Sequence, residues 1–94
     1  MKKIIQLYTT TGCHLCEQAE AMFHYLIESN VHLAELFELR LVEISTDEKL
    51  VERFGIRIPV LAHLNNELSW PFELQELENW LISSDFSKII KKSQ

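Results

Sequence analysis

Glycine, proline and cysteine are all scarce in this chain, with two of each in 94 residues. So few glycines and prolines exclude a collagen-like repeat and a flexible Gly/Ser linker. They leave Gly12, Gly55, Pro59 and Pro71 as markers of element boundaries. Two cysteines, both in one short motif, are too few for a secreted disulfide scaffold. Long apolar runs are missing as well, and a membrane-spanning helix needs about 20 such residues. The opening Met1-Lys2-Lys3-Ile4-Ile5 has the charge of a secretion signal, but Gln6 and then Tyr8-Thr9-Thr10 cut its apolar stretch short. A cytoplasmic location with no membrane contact is therefore expected. An excess of positive charge is lacking too: 9 Lys+Arg stand against 14 Asp+Glu, for a net charge of -5. Nucleic-acid binding needs clustered cations to neutralise phosphates, so that function class is set aside.

What is present is an ordinary globular composition, 47% hydrophobic and 24% charged, sized for one core. Charge is uneven, because residues 84–94 carry Lys88, Lys91 and Lys92 against Asp85. The expectation is one domain over residues 1–83 and a weakly basic tail over 84–94.

Hydrophobic periodicity sets the elements. Lys3–Tyr8 reads as a strand and Thr9-Thr10-Thr11-Gly12 as a loop. From Cys13 the period lengthens: Leu15, Cys16, Ala19, Met22, Phe23, Leu26 and Ile27 recur every three or four residues, one buried stripe of a helix. Glu17, Glu20 and Glu28 fall on its solvent side, and Asn30 is a plausible stop. Val31–Phe37 is open between extra helix and packed loop. Glu38–Ser45 reads as a strand buried on both faces. Thr46 or Asp47 caps a short helix through Phe54, with Leu50, Val51 and Phe54 inward and Gly55 closing it. Pro59 opens the strand Val60–Leu64, Asn65-Asn66 makes a hairpin turn, and Glu67–Trp70 returns. After Pro71, Glu73–Ile82 is an amphipathic helix, broken by Ser83-Ser84-Asp85, with a turn or two more over Phe86–Lys92. The order β-α-β-α-β-β-α implies a right-handed crossover between parallel strands followed by an antiparallel hairpin. The expected fold is α/β, a four-stranded mixed sheet with helices on both faces.

Cys13-His14-Leu15-Cys16 carries the chemistry. A Cys-x-x-Cys on the first helical turn of a βαβ unit reads as a redox dithiol. One turn separates the two positions, and Cys13 lies at the helix N-terminus, where unpaired N–H groups and the dipole favour a thiolate. A free thiol of pKa near 8.5 is about 3% ionised at pH 7, whereas one near 6.5 is roughly three-quarters ionised. Cys16, on the apolar stripe, is expected to be more buried and to act as the resolving thiol. A zinc site is disfavoured, since structural zinc wants four ligands and His24, His32 and His63 form no second close pair. His63 reads as a structural or surface residue and Trp80 as core. Trp70 and Phe72 either line a groove beside Cys13 or cover the end of the sheet.

These motifs resemble the thioredoxin-like fold in its glutaredoxin form over about residues 3–83. The match rests on the first strand leading into Thr11-Gly12-Cys13-His14-Leu15-Cys16, and on Ile58-Pro59 before the hairpin. The chain is most similar to small bacterial glutaredoxin-like proteins that pair Cys-x-Leu-Cys with Ile-Pro-Val-Leu (here Ile58–Leu61) and Trp-Pro-Phe (here Trp70–Phe72). The resemblance implies Cys13 as nucleophile and Cys16 as resolving cysteine. It implies a cis Pro59 against the active-site loop, and Ile58 offering its backbone to an incoming substrate strand. Glutathione-using relatives carry a Gly-Gly turn where this chain has Ser69-Trp70-Pro71-Phe72, so a conventional glutathione groove is not expected. Glu73 there has a favourable dipole position as its simplest role. His14, if cationic, favours the Cys13 thiolate further; if neutral, it forms part of the rim. The implied activity is thiol-disulfide exchange by a monomer with no bound cofactor. Its substrate would be a disulfide-containing protein or a small-molecule thiol, and its electrons would come from glutathione or a reductase. Two alternatives stand beside it: a protein-interaction module with an idle dithiol, and a bridged iron–sulfur cluster between two protomers.

Overall fold

The computed structural model describes the backbone of residues 2–93 and the side chains of residues 2–85. Its elements are β1 (Lys3–Thr9), α1 (His14–Ser29), α2 (Val31–Leu36), β2 (Phe37–Glu43), α3 (Glu48–Phe54), β3 (Val60–His63), β4 (Asn66–Ser69) and α4 (Leu74–Ser93). The sheet order is β2-β1-β3-β4. β1 runs parallel to β2 from Lys3↔Phe37 to Thr9↔Glu43 and antiparallel to β3, and β3 and β4 form the hairpin. This is the expected mixed α/β sheet. Among the described residues, no helix is long and apolar enough to cross a membrane.

Alternation along β1 divides the core in two. Ile5 and Leu7 point to one face, joined by Ala19, Phe23 and Leu26 of α1, Leu33 of α2, Leu61 of β3, and Leu77 and Leu81 of α4. The opposite face holds Ile44, Phe54 and Val60, with Tyr8, Leu50 and Ile58 packed around them. The Tyr8 and Phe54 rings stack there at 4.1 Å between centroids. The helices therefore cover both faces, α1, α2 and α4 on one and α3 on the other.

Local chemistry sets the boundaries. Asn30 ends α1 and starts α2, its Oδ1 accepting from His32 N at 3.0 Å and Leu33 N at 3.3 Å. One side chain thus satisfies two N–H groups that a helix start leaves unpaired. The open stretch after Asn30 is resolved as helix up to Leu36, and β2 begins at Phe37. Asp47, one of the two expected caps, does the same for α3 through Lys49 N and Leu50 N. Glu73 precedes α4, and its N–H donates to Glu76 Oε1 at 2.9 Å, half of a capping box.

Several expectations need correction. β2 is not buried on both faces: it is an edge strand, and Leu41 is 50% exposed. Val51, expected inward, is also exposed, because α3 buries only Phe54 fully. The hairpin turn falls one residue early. His63↔Asn66 is the closing pair, so Leu64 and Asn65 form the turn and Leu64 takes φ 55°. The break at Ser83-Ser84-Asp85 does not occur. α4 continues through it, with Ser84 buried and Asp85 bridged to Lys3 Nζ at 2.9 Å. Tertiary anchoring overrides the weak helix propensity of Ser and Asp. The proposed tail segment Phe86–Lys92, with its three lysines, lies outside the described side chains. His63 is buried, with Nδ1 3.2 Å from the Ile4 carbonyl oxygen. Trp80 is partly buried against the larger core.

Leu64 combines a left-handed backbone with an apolar side chain that is 77% exposed. Asn reaches that backbone region far more readily, and the left-handed region costs other L-residues about 1–2 kcal/mol. Leu64→Asn is expected to stabilise the fold by about 1 kcal/mol. In urea denaturation this appears as a raised midpoint at unchanged slope. A lowered midpoint would show that the Leu64 side chain contributes packing.

Candidate redox site

The loop after β1 delivers Cys13 to the start of α1. Gly12 makes the delivery possible with φ 83°, while a Cβ there would meet nothing within 4 Å. Glycine is required by backbone sign, not by space. Cys13 N then donates to Thr10 O at 3.2 Å, and Cys13 becomes the N-cap of α1 in extended backbone. Its Sγ accepts a hydrogen bond from Cys16 N at 3.1 Å, the role an Asp or Ser oxygen usually plays.

Cys13 and Cys16 are joined as a disulfide, with Cα atoms 5.2 Å apart. Cys13 is half-buried, whereas Cys16 is 2% exposed within the α1 stripe. The burial difference expected from the helical pattern is present: a half-buried cysteine at a helix N-terminus and a buried one behind it. His14 is fully on the surface, its side chain 90% exposed and its Nδ1 3.8 Å from Glu17 Oε1.

The second side of the site is the α3–β3 connection. Continuing the β1–β3 register beyond Tyr8↔Val60 brings Pro59 opposite Thr9, at the sheet end where the cysteine loop begins. The Ile58-Pro59 bond is cis, and so is Trp70-Pro71. Ile58 has one of its two backbone groups engaged already. Its N–H already donates to Phe54 O at 3.0 Å, so only its carbonyl remains to pair with an incoming strand. Arg57 braces this connection, donating to Glu67 Oε1 at 2.7 Å and Ser69 Oγ at 2.9 Å, while Arg53 holds Glu67 Oε2 at 2.8 Å. The Arg57 hydrogen bond, with the charges of Arg57 and Arg53, keeps the Glu67 carboxyl below its ordinary range.

The two aromatic candidates separate. Trp70 is half-buried, and its N–H donates to Pro59 O at 3.1 Å, which keeps it near the cis proline. Phe72 is 5% exposed within the larger core, edge-on to Trp70 at 5.1 Å. The groove-lining expectation for Phe72 is therefore corrected: its ring is core, packed with the side chains that anchor α4.

One residue at the site escaped the sequence reading. Glu43, the last residue of β2, grips the cysteine loop. Its Oε1 accepts from Thr11 N at 3.1 Å and Thr11 Oγ1 at 3.3 Å, and its Oε2 from Ser45 N at 3.0 Å. The Ser45 N–H above all, then the side chains of Thr10, Ser45 and Thr11, lower its pKa from 4.5 to about 2. The pairing Thr9↔Glu43 places the carboxylate there, and that register is not written in either segment alone. Beside the disulfide an open groove of about 290 Å³ is lined by Thr9–Cys13, Glu17, Glu20, Leu41 and Glu43. Among the described residues, no group of His, Cys, Asp or Glu is placed to hold a metal ion.

A capping cysteine bonded to the third residue of its helix, on a β2-β1-β3-β4 sheet, defines a thioredoxin-like protein with a redox-type cysteine pair. The chain belongs to the glutaredoxin-like family: residues 4–82 match the family model described as Glutaredoxin-like domain (DUF836). It is similar to the X-ray structure of the structural-genomics target protein XcR50 from X. campestris, at 34% identity and a TM-score of 0.68, covering 84% of this chain and 96% of that one. The solution structure of the XcR50 target matches at 31% identity with the same TM-score, covering 84% of this chain and 92% of that one. No curated protein matches the chain.

The Glu43 clamp has a defined pH dependence. With the folded pKa below the ordinary 4.5, the fold favours the carboxylate, so the contribution is full above pH 4.5 and is lost as pH falls through about 2. Glu43→Gln removes the charge. The stability gap between wild type and variant, read by urea denaturation across a pH series, is expected to be constant above pH 4.5 and to close towards pH 2. A gap that persists at the acid end would show that shape rather than charge holds the loop.

Proposed function

We propose that the protein is a thiol-disulfide oxidoreductase that reduces disulfides with the Cys13/Cys16 pair. The observation that carries this reading is the position of Cys13 Sγ, at the start of α1 and accepting the Cys16 N–H. A backbone donor and the helix dipole both favour negative charge on that sulfur, which lowers the proton affinity of the attacking thiol. In the reduced state the Cys13 thiolate attacks one sulfur of a substrate disulfide. A Cys13–substrate bond forms, the substrate S–S bond breaks, and the leaving thiolate takes a proton. Cys16 then gives up its proton and attacks Cys13. The Cys13–Cys16 disulfide forms and the second substrate thiol leaves, so two electrons and two protons have passed to the substrate.

Regeneration requires an external reductant, a low-molecular-weight thiol or a dithiol protein. We place glutathione second to a dithiol protein. The stretch that would hold the tripeptide is Ser69–Phe72, and there Trp70 and Phe72 are packed on the core where small residues would permit close backbone approach. The cycle uses one chain and no bound cofactor, and cis Pro59 with the Ile58 carbonyl supplies the surface against which substrate backbone docks. The fold and residues equally suit a cytoplasmic redox setting.

The test uses the reduced protein. Alkylation at neutral pH is expected to label Cys13 at least about tenfold faster than Cys16, given the difference in access and thiolate character. Cys13→Ser is expected to abolish reduction of a protein disulfide such as insulin, and Cys16→Ser to accumulate the mixed disulfide. Equal alkylation rates, or activity surviving in Cys13→Ser, would overturn the proposal and leave the dithiol idle.

A further inference from the structure

The sulfur pair does not open onto a neutral surface. The groove beside it carries Glu17, Glu20 and Glu43 together with Cys13, and among the described residues its lining includes no lysine or arginine. Glu43 is charged at every physiological pH, because its carboxyl titrates at about 2. Glu17 is 70% exposed, with the His14 ring at 3.8 Å as its ionic neighbour among the described residues. Glu20 has His24 at 3.7 Å, from the next turn of α1. Arg53 of α3 and Arg57 of the α3–β3 connection are both engaged with Glu67. Leu41, half-exposed on the edge strand, adds an apolar patch to the same groove.

We propose that the disulfide this protein reduces belongs to a basic polypeptide, one with lysine or arginine beside its cysteine. The proposal rests on the oxidoreductase reading and names the substrate of that site. The reactive centre is the dithiol, and the carboxylates beside it select what reaches the sulfur. A cationic segment is drawn to the groove before any bond changes, and its alkyl stems cover Leu41 while the charged heads meet Glu17 and Glu20. Positive charge next to the substrate cysteine also lowers the pKa of the leaving thiol, which speeds the exchange step. An anionic disulfide, the oxidised glutathione tripeptide included, meets repulsion from the same groups. Charge complementarity of this size changes association rates by about tenfold or more at low salt. The effect weakens as the screening length falls to about 10 Å at 0.1 M ionic strength.

The experiment compares two short peptide disulfides with identical cysteine cores, one flanked by lysines and one by glutamates. Second-order rates of reduction by the reduced full chain are measured across a salt series, for wild type and for a Glu17→Gln, Glu20→Gln double variant. Glu43 is left in place because it holds the loop. The basic peptide is expected to react about tenfold faster at low salt. The ratio is expected to fall towards one with added salt and in the double variant. Equal rates, or a faster acidic peptide, would overturn this inference while leaving the oxidoreductase reading intact. A preference unaffected by salt and by the double variant would overturn the assignment to this groove. Reduction of neither peptide, with both thiols titratable, would overturn the oxidoreductase reading itself.

Discussion

The parallel pairing of β1 with β2 is the constraint on which the rest of the molecule depends. Two strands that run the same way cannot be joined by a tight turn, so the chain must cross over one face of the sheet. That crossover is α1 and α2, and its length is filled by one apolar stripe from Cys16 to Leu26 together with Leu33. Because the crossover leaves from the C-terminal end of β1, the N-terminus of α1 is brought to the sheet end where Pro59 stands opposite Thr9. The same pairing sets Glu43 against Thr9. Helix start and loop clamp meet there through that one strand direction, and the antiparallel β1–β3 pairing brings the cis proline to the same end.

At that point the physical chemistry is economical. A helix begins with unpaired N–H groups, and here a sulfur satisfies one of them. The loop before it needs one residue of positive φ, supplied by Gly12, and one external anchor, supplied by Glu43. The carboxylate that steadies the loop also places negative charge beside the cysteine pair. A hydrogen bond at 3.1 Å acts on the sulfur at short range, whereas the exposed carboxylates around it act through high dielectric and salt.

Much of this was legible in the sequence, for identifiable reasons. The stripe of α1, Asn30 as its stop, Asp47 as one of two candidate caps, and the Cys-x-x-Cys at a strand-to-helix junction are local patterns, and local patterns survive into the fold. What failed to show depended on neighbours. The burial of β2 could not be read from Leu39, Leu41 and Val42, since an edge strand and a central one share that composition until the strand order is known. Phe72 stood open between lining a groove and covering the end of the sheet, and only the packed core decides that its ring turns inward. Ser83-Ser84-Asp85 carries the composition of a helix break, but the Lys3 bridge and the buried Ser84 belong to tertiary structure. Glu43 had no local mark at all, because its three acceptor contacts exist only once Thr11 and Ser45 flank it.

The exposed border of β2 has a consequence for life at high concentration. An outer strand presents a row of backbone groups to which a second chain can add. Here the side chains along that border alternate charge with apolar surface: Glu38, Arg40 and Glu43 interleave with Leu39, Leu41 and Val42. Arg40 and Glu38 lie 3.5 Å apart and largely solvated, so a docking strand would have to strip water from both. The strand that leaves Leu41 open beside the sulfur pair thus carries its own guard against fibril-like stacking.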